Sequence, residues 1–139
     1  MSESAAREVF DAGTVAIRHA GEADIEVLRE LFDRSRDEGT LRDNDTGADL
    51  EHLLEGYFDS DGSGFWVADH EGIIVGMIGV QQLTDSSAEI RRLRVREEFR
   101  RRGIGRCLME HALDFCREKH CLKVVLDVAI EHTGAVSMF

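Results

Sequence analysis

Residues 91–106 concentrate positive charge in an otherwise acidic chain. The sequence has 139 residues, of which 17 are basic and 28 are acidic, and its formal net charge is −11. Eight arginines and only two acidic residues fall within residues 91–106. This distribution predicts a local anion-binding site, whereas the overall negative charge argues against nucleic acid as a partner.

The arginine cluster includes the start of a predicted helix. Residues 100–106 read Arg-Arg-Arg-Gly-Ile-Gly-Arg, and apolar residues then recur at helical spacing, which predicts a helix from Gly103 to about Lys119. Exposed cations at this end of a helix cost about 0.3–1 kcal/mol each, and no Ser, Thr or Asp is present to cap it. A bound anion would explain both features, because free backbone N–H groups would hold it while Gly103 and Gly105 allow close approach.

Two common nucleotide-binding motifs are absent here. A Walker loop requires the pattern Gly-x-x-x-x-Gly-Lys-Ser/Thr, which the chain lacks. The dinucleotide-binding fingerprint requires a third glycine at position 108, where the chain has Leu108. The remaining well-known candidate anion is the pyrophosphate of coenzyme A.

The strand predicted before this helix, Glu89–Val95, breaks its own alternation. Ile90 is an apolar residue at an even position, whereas Leu93 and Val95 are at odd positions. A shift of one residue within a strand predicts a β-bulge. A bulge leaves backbone N–H and C=O groups available to another partner, although a merely structural kink would give the same pattern.

These motifs together resemble a known signature. The pattern Ala88-Glu89-Ile90 … Leu93-Arg94-Val95 … Arg100-x-x-Gly103-x-Gly105 is similar to the acetyl-CoA-binding signature of the GNAT superfamily of N-acetyltransferases. The resemblance extends over nearly the whole chain from Val15. It implies an α+β (mixed α/β) fold with a mostly antiparallel central sheet, one parallel splayed strand pair and helices on both faces.

The resemblance also implies how acetyl-CoA would bind as co-substrate. Backbone groups of the bulged strand would pair with the pantetheine arm, and backbone N–H groups of the glycine-containing segment would hold the pyrophosphate. A backbone N–H near Leu93 would stabilise the oxyanion of the reaction. The implied cofactor-binding residues are Leu93, Arg94, Val95, Arg100, Arg101, Arg102, Gly103, Ile104, Gly105 and Arg106.

Glu89 matches a position where some family members carry a glutamate general base. An alkylammonium must lose a proton before its nitrogen can attack a thioester, so this chemistry requires a base. The alternative is that Glu89 is simply a solvated charge near the start of a strand.

The general acid is a separate question. When the chain is aligned with the GNAT pattern, Phe139 occupies the position of a tyrosine that often acts as general acid, and phenylalanine cannot donate a proton.

The remaining elements must position these residues. Leu122–Ile130 is a nearly continuous apolar run, typical of a strand covered on both faces. The family's last two strands would follow Phe139, so this strand should present an open edge that a second copy covers in a possible homodimer.

We predict a leader over residues 1–13 and a single acyltransferase-like domain over residues 14–139. Within it, the patterns predict strands at Val15–Arg18, Phe65–Asp69 and Ile73–Gln82, helices after Gly21 and over 46–58, the latter with a capping box at Thr46–Asp49, and a polar loop at Asp33–Asp45.

Other classes of site are not indicated. Cys107, Cys116 and Cys121 match no zinc signature, and their odd number argues against a disulfide framework, so we expect no metal. No apolar run approaches the roughly 20 residues of a membrane helix, and no signal peptide is recognisable, so we expect no membrane partner and a cytoplasmic location.

The expected function is therefore direct transfer of an acetyl group from acetyl-CoA to a primary amine of a small molecule or protein. The alternative is a degenerate GNAT-like module that binds coenzyme A without catalysis.

Overall fold

The computed structural model describes residues 15–37, 47–58 and 60–127. Its five strands form one sheet in chain order. Neighbouring strands are antiparallel from the first to the fourth, and the fourth and fifth are parallel. This confirms the expected mostly antiparallel sheet with a parallel pair. The strands are β1 (Val15–His19), β2 (Gly64–His70), β3 (Ile73–Thr84), β4 (Ser87–Val95) and β5 (Lys123–Asp127).

Helices cover both faces of this sheet, as expected. On one face, α1 (Ile25–Asp37) and the segment 47–58 bury a cluster of side chains that includes Leu28, Phe32 and Tyr57. On the other face, α3 (Ile104–Glu118) buries Ile104, Leu108, Ala112 and Cys116 against the sheet. Each fully buried side chain of this size contributes about 1.5–3 kcal/mol, so the two clusters hold the helices on opposite sides of β4.

The helix predicted over residues 46–58 is wrong as a continuous element. The segment forms a short helix α2 (Ala48–Glu51), which ends at His52, and then a π-helical turn at Leu54–Phe58. The predicted capping box is also wrong, because Gly47 is the N-cap and carries no side-chain cap. Thr46 lies outside the described residues, and the carboxylate of Asp49 binds a distant arginine instead of the helix start.

The predicted bulge in β4 is confirmed. Gly79 pairs with Arg91 and Met77 pairs with Arg94, so Arg92 and Leu93 together oppose the single residue between Met77 and Gly79. Arg92 has φ = 64°, a left-handed conformation that non-glycine residues rarely adopt. The bulge therefore reverses the alternation of β4 where the sequence pattern placed it.

The strand β5 corrects one expectation. We expected Leu122–Ile130 to be covered on both faces, but Leu122 is 86% exposed and Leu126 is 37% exposed. The physical reason is that β5 is the last strand of the described sheet, with β4 as its only described neighbour. Residues 128–139 lie outside the described residues, as do the predicted leader and residues 38–45 of the predicted loop Asp33–Asp45. The start of that loop was predicted wrongly, because α1 continues to Asp37. A homodimer through this edge stays a prediction.

Among the described residues, no helix combines the length and apolar character needed to cross a membrane. The cytoplasmic location stays a prediction.

Candidate active site

The segment 100–106, which we call the glycine turn, leaves backbone donors at the start of α3. Gly103 is the N-cap with φ = 90°, and Arg101 is also left-handed with φ = 65°. The N–H of Cys107 donates to the carbonyl of Gly103 at 3.0 Å, so the N–H groups of residues 104–106 precede the first helical hydrogen bond. Within the described residues no side chain caps this helix end. The turn therefore has the geometry that the sequence predicted for an anion site.

The side chains of this turn supply exposed positive charge. Arg101, Arg102 and Arg106 are all exposed. Arg102 lies over the ring of Phe99 at 5.3 Å, and Arg106 forms a surface ion pair with Glu110 at 3.7 Å. Surface contacts of this kind hold a side chain weakly, so these guanidinium groups can turn towards an anion.

Arg100 plays a different part in the turn. Its Nε donates to the carbonyl of Val95 at 3.0 Å, which ties the turn to the end of β4.

The predicted cofactor-binding residues of β4 lie on both faces of the sheet. The side chains of Leu93 and Val95 are buried against α3. Arg94 is only 3% exposed and is paired with Met77, which belongs to the cluster on the opposite face. Its guanidinium is therefore not at the glycine turn, and in a cofactor site Arg94 would contribute only its backbone.

Glu89 lies on the face of the sheet covered by α1 and the segment 47–58. Its neighbours Ala88 and Ile90 point into the cluster under α3, and side chains alternate across a strand. Glu89 is half-buried and pairs with Gln81 on β3 and Val125 on β5. The predicted base and the glycine turn are thus connected by one strand, with the bulge between them.

The described parallel pairing of β4 with β5 extends only two residues past Glu89. Arg91 opposite Asp127 is the last described pair, whereas β4 continues to Val95. Between Arg92 and Val95 the described part of β5 therefore leaves the edge of β4 without a neighbour. This edge runs from the bulge to Val95, and a 3-10 turn at Glu97–Phe99 leads from there to the glycine turn.

A buried ionic network at the bulge was not predicted from the sequence. Arg92 binds Asp49 through two hydrogen bonds, from Nη2 to Oδ1 at 2.6 Å and from Nε to Oδ2 at 3.1 Å. The hydroxyl of Tyr57 donates to the same carboxylate at 2.5 Å. Asp49 and Arg92 are 43 positions apart, so no local pattern could reveal their contact.

The charges in this network stabilise one another. Burial would raise the pKa of Asp49, but the hydrogen bonds from Arg92 and Tyr57 outweigh it and hold the pKa below its ordinary value. Burial and the adjacent negative charge of Asp49 raise the pKa of Tyr57, so its hydroxyl stays protonated. Asp49 is therefore an anion neutralised within the protein.

The sequence model described as "Acetyltransferase (GNAT) family" matches residues 25–139, which is most of the chain. The chain belongs to the GNAT acetyltransferase family. Among curated relatives, human N-acetyltransferase 8 is 31% identical over 96 residues, which is 66% of this chain and 42% of that protein. The GNAT chain thus spans less than half the length of this relative.

Solved structures show the same fold. A GNAT-family acetyltransferase from Staphylococcus aureus Mu50 superposes with a TM-score of 0.78 at 22% identity, over 90% of this chain and 79% of the other. A predicted acetyltransferase from Clostridium acetobutylicum, solved with acetyl-CoA, superposes with a TM-score of 0.72 at 16% identity, over 89% of this chain and 87% of the other. These likenesses confirm the GNAT fold that the sequence motifs indicated.

Proposed function

We propose that this GNAT chain transfers an acetyl group from acetyl-CoA to a primary amine of a small molecule or a protein. The observation that carries the proposal is the continuity of the bulged edge of β4 with the open N–H groups of the glycine turn. An extended chain ending in a diphosphate fits such an arrangement, because a strand edge pairs with extended groups and a helix start holds anions. The acetyl-CoA named for the Clostridium acetobutylicum neighbour supports this choice of co-substrate.

Each part of the site has a role in this proposal. Backbone N–H groups of residues 104–106 and the exposed arginines bind the diphosphate. Acetyl-CoA supplies an activated thioester, whose C–S bond is exchanged for a C–N bond to the acceptor as the free thiol is released. Glu89 accepts the proton that the acceptor ammonium loses, directly or through a water molecule. A backbone N–H near Leu93 donates to the thioester oxygen, on which negative charge develops.

The first test is a thermal-shift measurement with acetyl-CoA and, separately, with acetate. A ligand that binds only the native state raises the melting temperature, so acetyl-CoA is expected to raise it while acetate leaves it unchanged. An unchanged melting temperature, together with no heat of binding in calorimetry, would overturn the proposal.

The second test is release of the coenzyme A thiol in the presence of a panel of primary amines. The panel contains polyamines, amino acids and short peptides with a free N-terminus or a lysine. Thiol release with at least one amine above the rate of hydrolysis is the expected result. Binding of acetyl-CoA without turnover on any amine would instead indicate the alternative, a coenzyme A-binding module without catalysis.

A further inference from the structure

Arg92 is an unusual residue for its position in the sheet. Among the described residues, four that are not glycine have a positive φ: Glu71, Arg92, Arg101 and His120. Of these, only Arg92 lies within a strand, since the other three lie in turns or at the boundaries of helices. Left-handed backbone is strained for a side chain with a Cβ atom, so the surrounding structure must hold Arg92 in place.

The side chain of Arg92 is held from several directions. It is 7% exposed and forms a two-point ion pair with Asp49, whose own side chain is 17% exposed. Its guanidinium also lies over the ring of Phe32, 5.2 Å from the centroid. The hydroxyl of Tyr57 fixes the carboxylate of Asp49 in turn. A bidentate arginine–carboxylate pair has a narrow geometry, so it fixes the direction in which the side chain leaves the backbone.

The backbone at this point is also where the proposed chemistry takes place. Arg92 and Leu93 are the two residues of the bulge that oppose a single residue of β3, and the last described pair with β5 lies one residue earlier, at Arg91. The φ angle of Arg92 sets the orientation of the peptide unit that precedes Leu93. A change in that angle would alter the direction of the N–H of Leu93.

We propose that Asp49 and Tyr57 act as positioning residues, forming with Arg92 a clamp that holds the bulge in its left-handed conformation. This inference rests on the proposed function, since the bulge backbone is the group that would bind the thioester oxygen. In this proposal the clamp acts through the backbone of the bulge and not on the co-substrate or the acceptor directly. It connects α2 and the π-helical turn to the catalytic strand through the Arg92 guanidinium.

The test is a double-mutant cycle with Asp49→Asn and Arg92→Gly. Asp49→Asn is expected to lower kcat about 10-fold, because a misplaced donor loses transition-state stabilisation. The affinity for acetyl-CoA is expected to change less than about 2-fold, because the diphosphate contacts at the glycine turn are unaltered. In the Arg92→Gly background, Asp49→Asn should have no further effect on kcat, because glycine adopts positive φ without a clamp.

Equal losses of kcat from Asp49→Asn in both backgrounds would overturn the proposal, because they would show that Asp49 acts on the acceptor itself. Tyr57→Phe provides a milder variant that retains the ion pair and the ring. It is expected to lower kcat about 2- to 3-fold, and an effect larger than that of Asp49→Asn would also count against the clamp.

A measurement on the ligand-free protein separates this proposal from the proposed function. Asp49→Asn should increase amide hydrogen exchange of residues 91–95 about 10-fold more than that of the rest of the sheet. The matched control is Asp24→Asn, which breaks another two-point ion pair, that of Arg18 with Asp24, away from the bulge. If both variants accelerated amide hydrogen exchange equally over the whole sheet, the clamp would be refuted. If Asp49→Asn accelerated amide exchange selectively at residues 91–95 while the unsubstituted protein acetylated no amine, the clamp would stand and the acetyltransferase proposal would be rejected.

Discussion

Two arginines of the same cluster have nearly the same positive φ angle in opposite environments. Arg92 has φ = 64° and Arg101 has φ = 65°. Arg92 is buried at the bulge and satisfied by Asp49, whereas Arg101 is exposed in the glycine turn. The bulge of β4 therefore carries a cation that the protein neutralises, whereas the glycine turn carries exposed cations that make surface contacts among the described residues.

This difference separates two uses of positive charge. A buried guanidinium with a bidentate partner fixes geometry, and removing its partner costs about 3–5 kcal/mol because an uncompensated charge remains. Exposed guanidinium groups at an uncapped helix start contribute little to folding and oppose the helix dipole. We infer that the bulge fixes the position of backbone groups and that the glycine turn binds the ligand. We therefore call the bulge the positioning end of β4 and the glycine turn the binding end.

The largest expected effect concerns Glu89, at the positioning end. Glu89→Gln should lower kcat about 100-fold, because general bases contribute about this much or more, while the affinity for acetyl-CoA stays unchanged. Steady-state kinetics and calorimetry measure the two quantities. The control is Glu118→Gln, an exposed residue at the end of α3. Equal kcat for Glu89→Gln and the unsubstituted protein near neutral pH would remove Glu89 from the mechanism.

At the binding end, Gly105→Asp should weaken acetyl-CoA binding about 30-fold through repulsion between the new carboxylate and the diphosphate. Gly105 is suited to this test because a Cβ atom there makes only an ordinary contact with Val95 at 3.7 Å, whereas Gly103 has φ = 90° and any side chain would be strained. An acidic residue in the first turn also stabilises the helix, so loss of binding would not reflect unfolding. Gly105→Ala is the control, and an equal loss in both variants would contradict the assignment.

Replacing the exposed arginines tests whether the positive charge of the glycine turn serves binding and not folding. The triple variant Arg101→Gln, Arg102→Gln, Arg106→Gln should bind acetyl-CoA about 10-fold more weakly and with a smaller dependence on salt concentration. Its free energy of unfolding without ligand should not fall, because each removed cation relieves an unfavourable interaction of about 0.3–1 kcal/mol with the helix dipole. Arg117→Gln, an exposed arginine near the other end of α3, should alter neither property. A large loss of stability in the triple variant would show that these arginines are structural.

The smallest expected effect is the acid sensitivity of the bulge end. Because the pKa of Asp49 is lower in the folded than in the unfolded state, its contribution to stability is complete above the unfolded value of about 3.9. That contribution is lost as the pH falls through the folded value, on the order of 1.4 kcal/mol for each unit of difference. Chemical denaturation between pH 3 and pH 6 should therefore give a shallower pH dependence for Asp49→Asn. An identical slope would contradict the ionised network.

The sequence predicted features whose causes are local. The apolar periodicity of α3 identified its buried residues, and glycines beside arginines identified its uncapped start. The shift from Ile90 to Leu93 identified the bulge, because side chains alternate strictly along a strand and one extra residue exchanges the faces. The mostly antiparallel sheet with one parallel strand pair was implied by the GNAT resemblance and is also confirmed.

Prediction failed where distant residues decide local structure. The apolar spacing of residues 50–58 indicated one helix, yet the chain forms α2 and a π-helical turn while Asp49 and Tyr57 converge on Arg92. Asp49 also has the residue type of a helix-capping residue, and only the tertiary contact shows that its carboxylate binds elsewhere. Likewise, sequence could not show that the side chain of Arg94 is buried away from the glycine turn.

By itself the sequence determined the GNAT fold and the bulged strand and predicted an anion site at the glycine turn, because periodicity, glycine and local charge act over a few residues. Only the tertiary structure decided which arginines remain exposed for a ligand and which one is neutralised inside the protein. The physical reason is that the free energy of a guanidinium depends on its burial and on the acid beside it, and that acid comes from 43 positions away.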